Sequence, residues 1–248
     1  MSTTSESGIA SNLGNFQTLT GFCQSFGIKY KPSNPLISLD ALNGYHQLAT
    51  ESVDAVSAAK PLADRASDDR EIVFSPLNDI VTASFNSLRS CGASPQVIAD
   101  IRPVVNKLLG RRASVAKGET TPVNPEEPGA GAPKVISASQ QSFDSKIEFM
   151  GAYIEALKNE PKYIPNEEEL KITSLTALLG NMKAANKAVI DNSTPLVAAR
   201  SRRNQLFNNP DTGLVAIANL VKKYVKSVYK PKSIEFKKVS ALSFRKIS

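Results

Sequence analysis

The side chains with chemical reach in this 248-residue chain are few and widely spaced. His46 is the only histidine, so any mechanism that needs two imidazoles is excluded. It falls between Leu42 and Ala49 at helical spacing, where a general base would need an oriented partner and a reachable proton. Its sequence neighbours are core residues instead, and it reads as a packed, hydrogen-bonded histidine. Three consecutive acids, Glu167, Glu168 and Glu169, have the oxygen chemistry of a hard-cation site. Consecutive helical residues, however, point about 100° apart and do not converge on one ion. Asn166 followed by Glu169 fits a capping box, with all three acids at the positive end of a helix dipole. Cys23 and Cys91 have no CxxC pattern and no neighbouring histidine, so two free thiols are expected, a single bridge in the first half being the alternative. GAGAP and GRRAS match neither common phosphate loop. The basic string ending at Ser114 is a short match of the type kinases accept. No Ser/His/Asp or Cys/His arrangement can be assembled without His46. The chain is therefore expected to be non-enzymatic, with no catalytic, metal-binding or cofactor-binding residue assigned.

Charge is the stronger signal. The net charge is +7, but residues 220–248 carry nine Lys or Arg against one acid, Glu235, so the rest of the chain sums to −1. Lys222, Lys223, Lys226, Lys230, Lys232, Lys237 and Lys238 are the candidate contacts for a polyanion, either nucleic acid or an anionic membrane surface. Leu214, Ile217, Val221, Val225 and Val228 form an apolar stripe on the same helix. A similar stripe recurs at Leu77, Ile80, Ser84 and Leu88 with only Arg89 for charge, so the stripe reads as a core face and the lysines as its water side. A second contrast sets the acidic segment DRASDDRE (64–71) against RSRRNQ (200–205). Arg200, Arg202 and Arg203 are candidates for an interaction surface, since opposite charges favour one pairing over others.

The elements that hold these residues are helical. Residues 113–140 contain four prolines, three glycines and no aromatic residue, and read as a flexible linker. Residues 1–13 read as a disordered terminus. Helical units at 14–112 and 141–248 remain, and they can be laid over one another. Phe16 matches Phe149, and Tyr30-Lys31-Pro32 matches Tyr163-Ile164-Pro165. After a three-residue insertion, Leu39, Leu42, His46, Ala49 and Val53 match Leu175, Leu178, Met182, Ala185 and Val189. Pro61-Leu62 then matches Pro195-Leu196, and Arg70 and Phe74 match Arg203 and Phe207. The shared order implies an internal duplication. Polar-Pro pairs at Asn34, Ser75, Ser94, Thr194 and Asn209 mark helix starts, because proline at the first helical position loses no hydrogen bond. Helices are predicted at 14–27, 37–58, 61–74, 76–91 and 95–109, the last interrupted by Pro103. The second unit repeats them at 142–159, 167–191, 195–208 and 212–229, with a weaker helix after Ser233. The fold class is all-α: two tandem duplicated units in an elongated or pseudo-symmetric bundle.

The strings NLGNF, GRRAS, FDSKIEF, YIPNEEELKITSLTAL and TGLVAIANLVKKYVKSV together resemble a family of uncharacterised proteins of similar length from Bacteroidetes such as flavobacteria. That resemblance implies a bacterial setting and transfers no activity, cofactor or catalytic residue. The first twenty residues lack the basic and apolar regions of an export signal. The longest apolar-rich stretch, GLVAIANLVKKYV, meets two lysines before it reaches membrane-spanning length. A cytoplasmic structural or interaction protein is expected, with a protein partner or self-association. Salt-sensitive polyanion binding through residues 220–248 is the alternative.

Overall fold

The computed structural model describes residues 4–111 and 141–247, with side chains from residue 8 onward. The linker read at 113–140, and Ser114 with it, lies outside the described residues. Eight α-helices and no strand occur among the described residues: α1 (Thr4–Ser25), α2 (Leu39–Phe74), α3 (Leu77–Ser90), α4 (Pro95–Leu108), α5 (Phe143–Lys158), α6 (Ile172–Asn208), α7 (Leu214–Tyr229) and α8 (Ile234–Ala241). Single 3-10 turns at Pro35–Ile37 and Glu168–Leu170 precede the two long helices.

The helix ends follow local chemistry where a side chain can reach the free donors. Ser94 Oγ accepts from Val97 N–H at 3.2 Å, Ser142 Oγ from Ser145 N–H at 3.1 Å, and Ser233 Oγ from Phe236 N–H at 3.1 Å. Asn34 does cap, but it caps the 3-10 turn through Leu36 N–H at 3.0 Å, and Ser38 Oγ then receives Ala41 N–H in the first turn of α2. The capping box at Asn166 does not form. Glu167 occupies the cap position of the following turn without a side-chain bond, α6 starts five residues later than expected, at Ile172, and Glu168 pairs with Lys171. Asn209 folds back onto the N–H groups of Asp211 and Thr212, both at 3.0 Å, ahead of a helix that begins at Leu214.

Two expected breaks are absent. Pro61 lies inside α2 and Pro195 inside α6, so each long helix joins segments that the sequence reading had separated; Pro103 likewise lies within α4. A proline inside a helix removes one backbone bond and crowds the preceding turn, a cost of about 3 kcal/mol. Here Pro61 and Pro195 face water, and packing on both sides of each offsets the loss. The N-terminus differs too. α1 starts at Thr4, inside the stretch read as disordered, because Ile9 and Asn12 are 3% and 2% exposed and tie it to the core.

Two compact units form, and they do not follow the halves of the chain. The terminal unit comprises residues 1–64 and 191–248, and the central unit residues 65–190. The terminal core gathers Phe16, Leu19 and Cys23 of α1, Leu42 and Ala49 of α2, Phe207 of α6, and Leu214, Ile217, Val221 and Val225 of α7. Within this unit α2 and α6 run antiparallel, since Tyr45 Oη donates to Leu206 O at 2.6 Å while Val56 and Ala63 meet Leu196. The central core gathers Phe74 of α2, Leu77, Val81 and Leu88 of α3, Ile101 and Val105 of α4, Met150, Tyr153 and Leu157 of α5, and Leu175 and Met182 of α6. Arg70 lies 3.8 Å over the Phe143 ring and bonds Asn186 Oδ1 at 3.1 Å; Asn186 Nδ2 in turn reaches Asp144 Oδ1 at 2.7 Å.

The same internal lock closes both loops that lead into the long helices. Tyr30 Oη donates to Ile37 O at 2.6 Å, and Tyr163 Oη donates to Leu170 O at 2.8 Å. The 3-10 turn of the terminal unit packs on α7, and that of the central unit packs on α3. Burial follows similar spacings in the two units. Leu42 and Leu175 are both fully buried, as are Ala49 and Met182, each pair 133 residues apart like the two tyrosines. Along α1 the fully buried Phe16, Leu19 and Cys23, and along α5 Met150, Tyr153 and Leu157, share the same steps of three and four residues.

Removing either tyrosine hydroxyl leaves a buried carbonyl without its donor, which costs about 1–3 kcal/mol. Tyr30→Phe and Tyr163→Phe should each lower stability in urea unfolding by that order. Because they lie in different units, the double variant should show near-additive loss. Alkaline pH should act in the same direction. Burial pushes the Cys23 thiol up to about 11, a rise partly offset by its hydrogen bond with Tyr30. Burial likewise pushes Tyr45 and Tyr163 up to about 12, and moves Tyr30 and Tyr153 upward. Each group is neutral when protonated, so the unfolded chain gives up these protons first. This contribution is complete below about pH 9 and is lost as pH rises through 11 to 12. Circular dichroism and tyrosinate absorbance should therefore change together in that range rather than tyrosinate rising alone at pH 10.

Candidate interaction surfaces

The basic C-terminal stretch divides into lysines held by the fold and lysines free in water. α7 presents Leu214, Ile217, Ala218, Val221 and Val225 to the core, as its apolar stripe predicts. Lys222 lies at the edge of that stripe. Its Nζ donates to Leu242 O and sits 5.2 Å from the centroid of the Phe244 ring, and burial lowers its pKa from the usual lysine value. Lys222 therefore secures the end of the chain. Lys223, Lys226, Lys230, Lys232, Lys237 and Lys238 are exposed, and none pairs with a carboxylate among the described residues. Lys226 lies 6.0 Å from the Phe236 ring, and Lys230 ends α7 with φ of 67°.

The segment after α8 is the part that sequence reasoning missed. Residues 242–247 run without helix alongside α1 and α6, held by three asparagines. Asn12 donates through Nδ2 to Arg245 O at 2.7 Å and accepts Arg245 N–H on Oδ1 at 3.0 Å. Asn208 repeats the arrangement on Ile247, accepting its N–H at 2.9 Å and donating to its carbonyl, while Asn15 Nδ2 reaches Ser243 O at 2.7 Å. A carboxamide presents the same donor and acceptor as a peptide, so each of Asn12 and Asn208 pairs with one residue of the tail as a neighbouring strand would. A visible signal lay in NLGNF, where Asn12 and Asn15 stand one turn apart on the helix that buries Ile9, Phe16 and Leu19. The consequence is that Arg245 and Lys246 belong to a docked segment and not to a free tail.

The arginines of α6 separate on inspection. Arg200 and Arg202 are exposed, but two helical steps of about 100° each point them in different directions. Arg203 is half-buried and holds Asn204 Oδ1 through Nε and Nη2 at 3.3 and 3.0 Å. These residues are not one patch. In the matching acidic segment, Arg65 pairs with Asp69 at 3.8 Å and Lys60 pairs with Asp64, both at the surface.

His46 is half-buried on α2, and its carbonyl accepts from Thr50 Oγ1 at 2.9 Å. Cys23 is buried, Cys91 is half-buried, and both are free thiols. No group of three His, Cys, Asp or Glu side chains among the described residues could hold a metal ion. One cleft went unforeseen in the sequence: in the central unit, a space of about 300 Å³ between α3 and α4 is lined by Arg89, Arg102 and Arg111 together with Thr82, Asn86 and Asn106. Guanidinium and amide donors there offer an oxyanion hydrogen bonds, though the exposed arginines are open to screening by salt. No helix described is long and apolar enough to cross a membrane. Compared with protein-family models, curated proteins and solved structures, the chain has no match.

The asparagine clasp has a direct test. Asn12→Ala removes both side-chain bonds to Arg245 and leaves a part-buried peptide without them, which should cost about 1–2 kcal/mol. Amide hydrogen exchange at Arg245 should accelerate well beyond the change at amides in α3 or α5. Uniform acceleration everywhere would mean that Asn12 supports the whole fold and does not hold the tail specifically.

Proposed function

We propose that this protein is a non-enzymatic helical interaction protein built by internal duplication, in which each unit draws segments from both halves of the chain. The observation that carries this reading is the contrast between cores and surfaces. Both units use a first helix (α1 or α5), the early part of one long helix, the late part of the other, and two closing helices (α7 and α8, or α3 and α4). Buried positions keep their spacing, including the tyrosine that locks each loop. The charges outside do not: residues 64–71 are acidic, residues 200–205 are basic, and the lysines of α7 have no counterpart on α3. A frame repeated inside and varied outside fits selection on surface recognition, and the resemblance to uncharacterised Bacteroidetes proteins supports a bacterial setting.

Light scattering of the purified protein, with pull-down from native lysate, tests the proposal. Self-association or retention of a defined macromolecular partner is expected, weakened by Arg200→Glu or Arg202→Glu without change in unfolding midpoint, since both side chains are exposed. A strict monomer that retains nothing would count against it. A second reading, salt-sensitive polyanion binding, is favoured by the six exposed lysines from Lys223 to Lys238 that lack carboxylate partners among the described residues. Charge reversal at Lys223, Lys226, Lys230 and Lys237 should then abolish binding to polyanions and flatten its salt dependence. Lys222 is left out of that variant because it anchors Leu242.

A further inference from the structure

At one end of the terminal unit the loop after α1 meets the last turn of α7. The Phe26 and Tyr229 rings lie 5.0 Å apart, Tyr30 meets Tyr224 edge-on at 5.3 Å, and Tyr224 Oη accepts Lys31 N–H at 2.9 Å. Gly27, with φ of 58°, turns the chain there in a conformation that favours glycine. The loop is thus fastened on both sides of its apex, and at the apex Ile28 stands 98% exposed. Ile234, at the start of α8, is 69% exposed, and Val228 beside Tyr229 is 41% exposed. Lysines surround them: Lys29 and Lys31 on the loop, Lys230 and Lys232 on the turn between α7 and α8, all exposed. The acid in this neighbourhood is Glu235, beside Tyr229; residues 26–37 contain none.

We infer that this end of the terminal unit is a docking tip for an anionic membrane surface, with Ile28 and Ile234 entering the boundary between headgroups and acyl chains and Lys29, Lys31, Lys230 and Lys232 meeting lipid phosphates. The proposal deepens the polyanion reading and rests on it. Aliphatic side chains held in water by a fastened loop gain from an apolar environment and offer nothing to a phosphate or a base edge, so the combination fits a lipid surface better than nucleic acid. The central unit supplies an internal control. Its corresponding loop also exposes an isoleucine, Ile164 at 80%, but among Glu160, Glu167, Glu168 and Glu169, and its Lys162 is engaged with Gly92 O at 2.7 Å. That loop has the apolar side chain where glutamates outnumber the lysine, so its charge is negative.

The chain contains no tryptophan, so one placed at either isoleucine is a unique reporter. Full-length Ile28→Trp and Ile164→Trp proteins, checked by circular dichroism, would be mixed with phosphatidylcholine vesicles with and without phosphatidylserine, at low and high salt. Ile28→Trp emission should shift to the blue with phosphatidylserine vesicles alone and return at high salt, while Ile164→Trp emission stays unchanged. In cosedimentation of an otherwise unaltered chain, Ile28→Ser with Ile234→Ser, and separately Lys29→Glu with Lys230→Glu and Lys232→Glu, should each weaken vesicle binding about tenfold or more. Vesicle binding that ignores the isoleucine changes, or a blue shift at Ile164 equal to that at Ile28, would overturn the tip while leaving general polyanion binding intact. Binding to DNA at the same salt with no vesicle binding would do the same. Failure to bind either DNA or vesicles would remove both readings together.

Discussion

The continuity of two long helices is the constraint on which the rest of the structure depends. α2 delivers Leu42 and Ala49 to the terminal core and Phe74 to the central core; α6 delivers Leu175 and Met182 to the central core and Phe207 to the terminal core. Neither core is complete without residues from both helices. Each helix runs unbroken over 36 or 37 residues, through Pro61 in one and Pro195 in the other. A proline costs a helix about 3 kcal/mol in isolation. The far end of each helix carries a buried phenylalanine, Phe74 or Phe207, and losing such a side chain from its core costs about as much or more.

The tyrosine locks fix where each long helix starts. A hydroxyl that donates to a carbonyl seven residues on fixes the loop, the 3-10 turn and the first turn of the long helix as one piece. The bond has to be internal because the carbonyls of Ile37 and Leu170 belong to buried residues that water does not reach. Proline two residues after each tyrosine holds the residue between them extended and removes one donor that would otherwise need a partner. Sequence and packing agree at these loops, which explains why Tyr-x-Pro could be picked out from the residues alone.

Legibility elsewhere depended on whether the signal was local. The stripe of α7, the Ser94 cap of α4, and the all-α class rest on spacing and nearest neighbours, and each could be read directly. Pro61 and Pro195 were read as breaks because the local rule favours a break; the buried flanks that overrule it come from segments more than a hundred residues away. Burial along the long helices was hidden by the same limit. Residue type likens His46 to Met182, yet His46 is half-buried while Met182 and Ala49 are fully buried. Alanine and methionine share little except a place in the core, and only the packed structure shows that. The clasp of Asn12, Asn15 and Asn208 on the tail was hidden for a related reason: its partners are backbone groups, which leave no mark in a sequence.

Surface chemistry follows a different logic from the cores, and the lysines of α7 illustrate it. Lys222 and Lys223 are adjacent in sequence and equal in formal charge, yet one secures a carbonyl under partial burial and the other stands in water. A single helical step of about 100° separates those roles. Charge counted along the sequence therefore overstates what the C-terminal stretch can offer a partner, since Lys222 is engaged and Arg245 and Lys246 belong to a docked segment. It also understates it, because Lys29 and Lys31, nearly two hundred residues away in sequence, join the end of α7 through Phe26, Tyr30 and Tyr224. The aromatic contacts that complete the terminal core are the same ones that bring these charges together. Loosening the loop between Phe26 and Tyr30 would therefore disperse these charges and open the terminal core at Tyr30 together.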